Sequence, residues 1–167
     1  MQYPLKLRAE TEEDLALMSG LLQDALIAGS DIQFEPGEGQ FIAVFNRFCW
    51  ELDQALDATD EERPGPGIYH RTHSALVVEG AIGVRSRSIN LSDNKELLNL
   101  LSLHSDSDQI ELMFSGEAAL RIKAGSINVR LQDLGEPWPT KWRPNHNSRD
   151  DILAEENARI RQQASKS

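Results

Sequence analysis

The chain is organised around one stretch, Phe41-Ile42-Ala43-Val44-Phe45-Asn46-Arg47-Phe48-Cys49-Trp50-Glu51. This stretch holds three of the five phenylalanines, the only cysteine and one of the three tryptophans. Side chains alternate between the two faces of a strand, and both faces of this stretch are apolar at its start. Both faces become polar or aromatic toward its end. The pattern therefore predicts a central strand that leaves the core near Arg47.

Length and composition bound the class of protein. The chain has 167 residues, 40% of them hydrophobic, which suits one domain with a sizeable core. No apolar run approaches the roughly 18 residues that span a bilayer, and the first residues lack the pattern of a secretory signal. We therefore expect a soluble, cytoplasmic protein. A single cysteine allows neither an intrachain disulfide nor a cysteine-based zinc site, and the apolar surroundings of Cys49 predict a buried, inert thiol.

The formal charge of -10 is unevenly spread. Residues 1–62 hold 14 acidic and 3 basic side chains, a net of -11, whereas residues 63–167 hold 13 acidic and 14 basic ones, a net of +1. A protein that binds nucleic acid or an anionic membrane needs a basic face. We expect neither as a partner, although the second part of the chain leaves room for a local basic patch.

Hydrophobic periodicity predicts many strands and few helices. After a short strand at residues 5–8, Thr11 caps a helix that runs from about residue 12 to residue 22. The other predicted helix runs from Ser92 to about residue 101. Residues 127–131 are interpreted as a strand, although the following Asp133-Leu134-Gly135 also suits a short helix. The remaining predicted strands and extended segments cover residues 25–27, 32–35, 41–51, 75–78, 82–89, 102–104, 109–114 and 118–123.

The order of these elements predicts an α+β fold. Residues 5–35 and 84–123 run through similar elements, so we interpret the globular domain at 1–144 as two similar halves, 1–56 and 68–135. Each half would be a mostly antiparallel sheet with one helix, and an acidic Pro-Gly loop would join them. A pair of pleckstrin-homology-like modules is the alternative. The polar segment at residues 145–167 is predicted as a helical tail that protrudes or packs on another subunit, giving a homo-oligomer.

The sequence carries none of the strong catalytic motifs. It has no phosphate-binding glycine loop, dinucleotide fingerprint, nucleophile elbow or metalloprotease helix. We therefore lean against an enzyme and expect no catalytic residue and no cofactor. His70 and His73 lack the further ligands that a metal site needs, and in a strand they would face opposite sides, so we expect surface histidines.

Arg85 and Arg87 are the first binding candidates. Two positions apart on a strand, they share a face and would present paired guanidinium forks to a carboxylate or phosphate. Arg8, Arg121 or Arg130 would join them if their strands are neighbours. The alternative is a solvent-facing row that acids balance across the sheet.

Two further pairs of residues are binding candidates. Asn46 and Arg47 either contact a ligand or satisfy backbone groups and a nearby carboxylate. Trp138 and Trp142 flank basic residues in a proline-rich segment, a combination that stacks on a base or seats a peptide. The alternative for these tryptophans is that the segment docks onto its own domain.

Several sequence blocks in the same order resemble a known family. They are Leu5-Lys6-Leu7-Arg8-Ala9-Glu10 with Asp14-Leu15, Leu22-Gln23-Asp24-Ala25, Asn46-Arg47-Phe48 with Trp50-Glu51, Val84-Arg85-Ser86-Arg87, and Asp133-Leu134-Gly135 with Pro137-Trp138. From residue 5 to about residue 144 the chain resembles the bacterial domain-of-unknown-function family 2948. The resemblance implies a cytoplasmic bacterial protein and supplies no catalytic residues.

Two functions fit these observations. The first is a non-catalytic binding or adaptor protein that holds a protein partner through a sheet face, the arginines or the Trp-Pro segment. The alternative is a sensor or enzyme that binds a small anionic metabolite in an arginine-lined pocket, with Arg85, Arg87 and Asn46 as polar contacts.

Overall fold

The computed structural model describes residues 4–53, 69–89, 96–140 and 144. Its helices are α1 (Glu12–Leu21) and the single turn α2 (Trp50–Asp53), and a 3-10 turn covers Gly29–Asp31. Its strands are β1 (Lys6–Ala9), β2 (Leu26–Ala28), β3 (Ile32–Glu35), β4 (Gln40–Phe48), β5 (Tyr69–Glu79), β6 (Ala81–Arg87), β7 (Leu97–Asp106), β8 (Gln109–Phe114), β9 (Ala119–Ala124), β10 (Val129–Asp133) and β11 (Trp138–Thr140). The described part of the chain is therefore mostly sheet.

The strands form one continuous antiparallel path. Its order is β1-β10-β5-β4-β2-β7-β8-β9-β6, while β3 also pairs with β4 and β11 with β5. The ladder between β4 and β5 runs from Gln40 opposite Glu79 to Phe48 opposite Arg71. Leu26 of β2 pairs with Asn46 on one side and with Asn99 on the other. Thus β2 joins a first sheet (β1, β10, β5, β4, β3 and β11) to a second sheet (β7, β8, β9 and β6).

The mostly antiparallel sheet confirms the coarse part of the predicted fold. Strands from both proposed halves pair with each other, because β1 and β4 from residues 1–56 bind β10 and β5 from residues 68–135. The division into two similar halves and the tandem-module alternative stay predictions. The acidic Pro-Gly loop from residue 54 onward and the predicted tail at residues 145–167 lie outside the described residues.

The core is built on the inner face of β4, as the alternation predicts. Phe41, Ala43 and Phe45 are completely buried, and α1 packs Leu15 and Met18 into the same cluster. Cys49 is also buried, as predicted. Burial of these apolar side chains supplies the main favourable contribution to folding.

The prediction that the central strand leaves the core near Arg47 is wrong. Arg47 is completely buried, because two carboxylates lie against its guanidinium. The strand ends at Phe48 rather than at Glu51, and Trp50–Asp53 form one helical turn. This turn brings Glu51 back toward Arg47 at the i,i+4 spacing that lets side chains meet.

The predicted helix at residues 92–101 is also wrong where the structure describes it. Residues 97–101 open β7, whose first positions pair with β2 and whose next positions pair with β8. A leucine-rich run is compatible with a helix or with a strand that is covered on both faces. Here the backbone pairs with β2 and with β8, so the run is a strand. Residues 92–95 lie outside the described residues.

The start of α1 is capped as predicted. The Thr11 hydroxyl accepts a hydrogen bond from the backbone N–H of Asp14 at 3.1 Å. In return, the Asp14 carboxylate accepts one from the backbone N–H of Glu10 at 3.0 Å. The hydrogen bond from Glu10, followed by the interaction with Thr11, holds the pKa of Asp14 below its ordinary value of 3.8.

We expect Asp14→Asn to destabilise the protein at about pH 7 and to have less effect at about pH 3. Since the folded pKa of Asp14 lies below the unfolded value, its ionised form stabilises the fold above pH 3.8. That contribution is lost as the pH falls through the folded pKa. Urea unfolding at both pH values measures it, and Glu38→Gln in an exposed turn is the control. An equal difference at both pH values would contradict this account.

Candidate functional site

A groove of about 380 Å³ lies on the outer face of the first sheet. Val44 and Asn46 of β4 and His73 of β5 form its floor, because Asn46 pairs with His73 and paired residues point to the same face. The β2 strand and the turn after it lie on one side. Leu134 and Gly135, in the connection between β10 and β11, lie on the other. Strands of the sheet therefore define a concave surface.

The sides of the groove are largely apolar. Leu26 and Ala28 of β2 are half-buried, and Asp31 supplies a carboxylate at the same side. Across the groove, Leu134 is 56% exposed. Its backbone N–H donates to the carbonyl of His73 at 2.8 Å, so the exposed side chain stands on an anchored backbone. Ligand sites are commonly concave and lined mainly by apolar side chains, as this groove is.

Arg71 holds the polar part of the floor in place. Its Nη1 donates to the backbone carbonyl of Asn46 at 3.2 Å and to Oδ1 at 3.0 Å. Because Oδ1 of Asn46 accepts this hydrogen bond, the other end of the amide is the Nδ2 donor. The Arg71 guanidinium also lies 5.7 Å from the centre of the Phe48 ring. Burial lowers the pKa of Arg71, and the charge of Asp24 partly offsets this effect.

Trp138 docks beside the groove. Its ring centre lies 4.8 Å from that of His73, and β11 places Trp138 opposite Arg71. The structure thus places two predicted binding residues, Asn46 and Trp138, on the same face of the sheet. Asn46 pairs with His73, and Trp138 pairs with Arg71 two positions earlier in β5. For Trp138, the structure shows the predicted alternative of docking onto its own domain. Trp142 lies outside the described residues.

Arg47 lies on the opposite, inner face of β4. Its two terminal nitrogens each bind a carboxylate oxygen of Glu51 at 2.8 Å, and Nη2 also contacts both oxygens of Asp133 at 3.1 and 3.2 Å. Burial alone acts to lower the pKa of Arg47. The hydrogen bond to Glu51 and the charges of Glu51 and Asp133 outweigh it and raise the pKa above its ordinary value. Arg47 therefore fits the alternative in which nearby carboxylates satisfy it.

Arg85 and Arg87 are exposed on the outer face of the second sheet. Arg85 belongs to a row that crosses four strands, in the order Arg85, Arg121, Glu111 and His104. Glu111 contacts Arg121 at 3.4 Å and His104 at 3.0 Å. Of the three arginines that would join the pair if their strands were neighbours, Arg121 lies on the adjacent strand β9, and Glu111 in the same row balances its charge.

The other predicted basic neighbours lie elsewhere. Arg8 and Arg130 pair with each other across β1 and β10, at the opposite end of the sheet path from β6. Asn46 lines the groove, whereas Arg85 and Arg87 are not among the residues that line it. The structure thus separates the arginine pair from the groove as two distinct surfaces.

The structure places no metal-binding cluster in the part of the chain that it describes. No group of three or more His, Cys, Asp or Glu residues there is arranged to hold a metal ion. His70 and His73 lie three positions apart in β5, so they face opposite sides. In the same described ranges, no helix is long and apolar enough to cross a membrane.

Sequence reasoning missed Arg71 and Leu134 as parts of the site. The signal for Arg71 was the alternation in residues 69–79, where Tyr69, Arg71 and His73 share one face. Leu134 carried no local signal, since it follows a strand and becomes part of the groove only through the backbone bond to His73.

Comparison with known proteins gives one family. A family model matches residues 5–146, a range that includes the groove and the second sheet. No curated protein and no solved structure matched the chain. The match covers most of the sequence, and the chain belongs to the family described as "Protein of unknown function (DUF2948)".

Proposed function

We propose that the protein is a non-catalytic binding protein that holds an extended segment of a partner protein in the groove of the first sheet. The observation that supports this most directly is a concave, largely apolar surface whose floor holds one side-chain amide, that of Asn46, fixed by Arg71. Peptide-binding grooves combine apolar contacts with a few fixed polar groups in this way.

The rigidity of the floor supports the proposal. The floor belongs to the ladder between β4 and β5, in which every residue of β4 has a partner. This ladder contains Val44, Asn46 and His73. Arg71 fixes the Asn46 amide, and Trp138 packs against the His73 ring. A preorganised site loses little conformational entropy on binding, so more of the contact energy appears as affinity.

The side chains of the groove favour binding over catalysis. Among the described residues that line it, His73 and Asp31 are the titratable ones, and none carries a hydroxyl, thiol or amine that would serve as a nucleophile. A small anionic metabolite is the second candidate, since the Arg71 guanidinium donates a hydrogen bond to the backbone carbonyl of Asn46 and so places a positive charge beside the floor of the groove. The cytoplasmic location and a homo-oligomer through the tail stay predictions.

Peptides selected from a random library on the purified protein should bind the variant Ala28→Arg at least about tenfold more weakly, a change of roughly 1.4 kcal/mol. Ala28 lines the groove, and a long cationic side chain there would occupy it. Fluorescence polarisation measures the dissociation constants. Leu17→Arg is the matched control, because Leu17 is exposed on α1 outside the groove.

Two results would contradict the proposed function. One is a selection that enriches no peptide, and the other is enriched peptides that bind Ala28→Arg as tightly as the native protein. A thermal shift caused by nucleotides or sugar phosphates and abolished in Ala28→Arg would favour the metabolite instead. Circular dichroism checks that both variants are folded.

A further inference from the structure

We propose that the open edge of β6 binds an extended acidic segment of a partner protein by strand addition. This surface is separate from the groove, and the inference does not depend on the function proposed for the groove. It rests on three features of the described part of the second sheet: a strand edge without a ladder partner there, a pair of arginines on that strand with no described carboxylate at ion-pair distance, and an exposed isoleucine at the start of the strand.

The edge of β6 is available in the part of the chain that the structure describes. There β6 forms a ladder with β9 alone, in regular register from Gly83 to Arg87, and the backbone N–H of Ala81 donates to the carbonyl of Gly39 at 2.9 Å. Among the described residues, the open edge therefore runs from Gly83 to Arg87. An edge strand directs backbone N–H and C=O groups away from the sheet, and these groups bind an added strand. The last three residues of β6, Arg85 to Arg87, are all exposed.

Within the described part of the sheet, no acid balances the charge on this edge. Glu111 is bound to Arg121, and no carboxylate of the described residues lies within ion-pair distance of Arg85 or Arg87. The Nε of Arg87 donates to the backbone carbonyl of Glu117 at 3.1 Å, which orients the side chain and engages one of its five donors. The remaining donors of Arg87 and the whole Arg85 fork suit carboxylates.

The spacing of the arginines specifies the guest. Residues two apart on a strand lie roughly 6.6 Å apart on the same face. An added strand with acidic residues at alternate positions would therefore place a carboxylate beside both Arg85 and Arg87. Its intervening side chains would lie on the face of Val84, which is half-buried. Ile82 lies in the irregular register between Ala81 and Gly83, is 68% exposed, and offers apolar contact at the start of the strand. The expected guest alternates acidic and aliphatic residues.

Charges on an edge strand also oppose pairing with unwanted strands. Here the arginines oppose a basic strand and favour an acidic one. Arg85 lies directly opposite Arg121, and like charges in that position repel. An acidic guest relieves this repulsion, whereas a basic one adds to it. The net charge of -10 acts on the guest at long range, but a Debye length of about 8 Å at physiological salt leaves the neighbouring arginines dominant.

The test uses a fluorescent peptide of about eight residues that alternates glutamate and valine. Fluorescence polarisation at about 0.15 M salt compares it with a lysine-valine peptide and with a peptide of the same composition whose glutamates form a block. We expect the alternating acidic peptide to bind at least about tenfold more tightly than either. Hydrogen exchange of the β6 backbone amides should slow when it binds.

The double variant Arg85→Gln/Arg87→Gln should lose at least about tenfold in affinity for the alternating acidic peptide. Lys6→Gln/Arg8→Gln removes the same charge from β1, the strand at the other end of the sheet path, where Glu10 lies 3.9 Å from Arg8 and compensates one of the two cations, so this variant should bind as the native protein does. Ala28→Arg should also bind normally, which separates this edge from the groove.

Four outcomes would overturn the inference. They are no binding up to about 1 mM peptide, equal binding of the block peptide, equal binding to the Arg85/Arg87 variant, and unchanged exchange in β6. Thermal melts confirm that the surface variants are folded.

Discussion

Replacing Arg47 with methionine should lower the free energy of unfolding by about 3–5 kcal/mol. Arg47 is completely buried, and its guanidinium neutralises Asp133, whose side chain is also completely buried. The variant would leave the Asp133 charge in the core without its cation. Such a stranded charge is costly because burial removes its water, and the remaining hydrogen bonds to Asp133 supply no positive charge in place of Arg47.

The connections of Asp133 explain why the effect should spread through the fold. Its carboxylate accepts hydrogen bonds from the Ser74 hydroxyl and from the backbone N–H of Leu5 at 3.0 Å. The network therefore links β4, β5 and β10 to the residue that precedes β1. Arg47→Lys should also destabilise, since a single ammonium cannot make the two-nitrogen contacts that the guanidinium makes with Glu51.

Chemical denaturation at about pH 7, followed by circular dichroism, measures the change. Arg121→Met is the matched control, because Arg121 forms an ion pair with Glu111 but is about half exposed, and we expect it to cost less than about 1 kcal/mol. Adding Asp133→Asn to Arg47→Met should recover part of the loss, since it removes the stranded charge. A loss for Arg47→Met no greater than the control's would show that the buried network contributes little.

Phe45→Ala should lower the free energy of unfolding by about 3–5 kcal/mol. Phe45 is completely buried at the middle of β4, where it belongs to the core cluster with Phe41 and Leu76. Truncation removes the favourable burial of the ring and leaves a cavity that neighbouring strands, held by their ladders, fill only partly. The melting temperature should fall by roughly 6–20 °C, at about 2–4 °C per kcal/mol for a chain of this size.

Val44→Ala is the control for this prediction. Val44 is the neighbouring residue in the same strand, but it is half-buried on the outer face. We expect it to cost less than half as much as Phe45→Ala, because fewer buried atoms are removed. Equal losses for the two variants would contradict the assignment of the inner face of β4 as the core.

The alternation of residues along β4 was readable from the sequence. Phe41, Ala43 and Phe45 take the buried positions that a period of two predicts, and Thr11 begins α1 as its hydroxyl and the acidic first turn predict. The family was also recognisable from short blocks of sequence. These features are local, because each depends on residues within a few positions of one another.

The partners across the sheet were not readable in the same way. The burial of Arg47 depends on Asp133, 86 residues away, and the bond from Leu5 to Asp133 joins residues 128 apart. Residues 97–101 become a strand because β2 and β8 lie on either side of them. A leucine-rich run has no local property that excludes a helix, so long-range pairing decides its structure.

The sequence by itself thus determined which residues of the central strand face the core, where α1 starts and to which family the chain belongs. Only the tertiary structure decided that Arg47 is a buried member of a network, that Asn46 and Trp138 share a face with a groove, and that Arg85 and Arg87 lie apart from it. The physical reason is the range of the interactions. Side-chain alternation and helix capping act between near neighbours, whereas charge compensation and groove shape depend on which distant strands become adjacent.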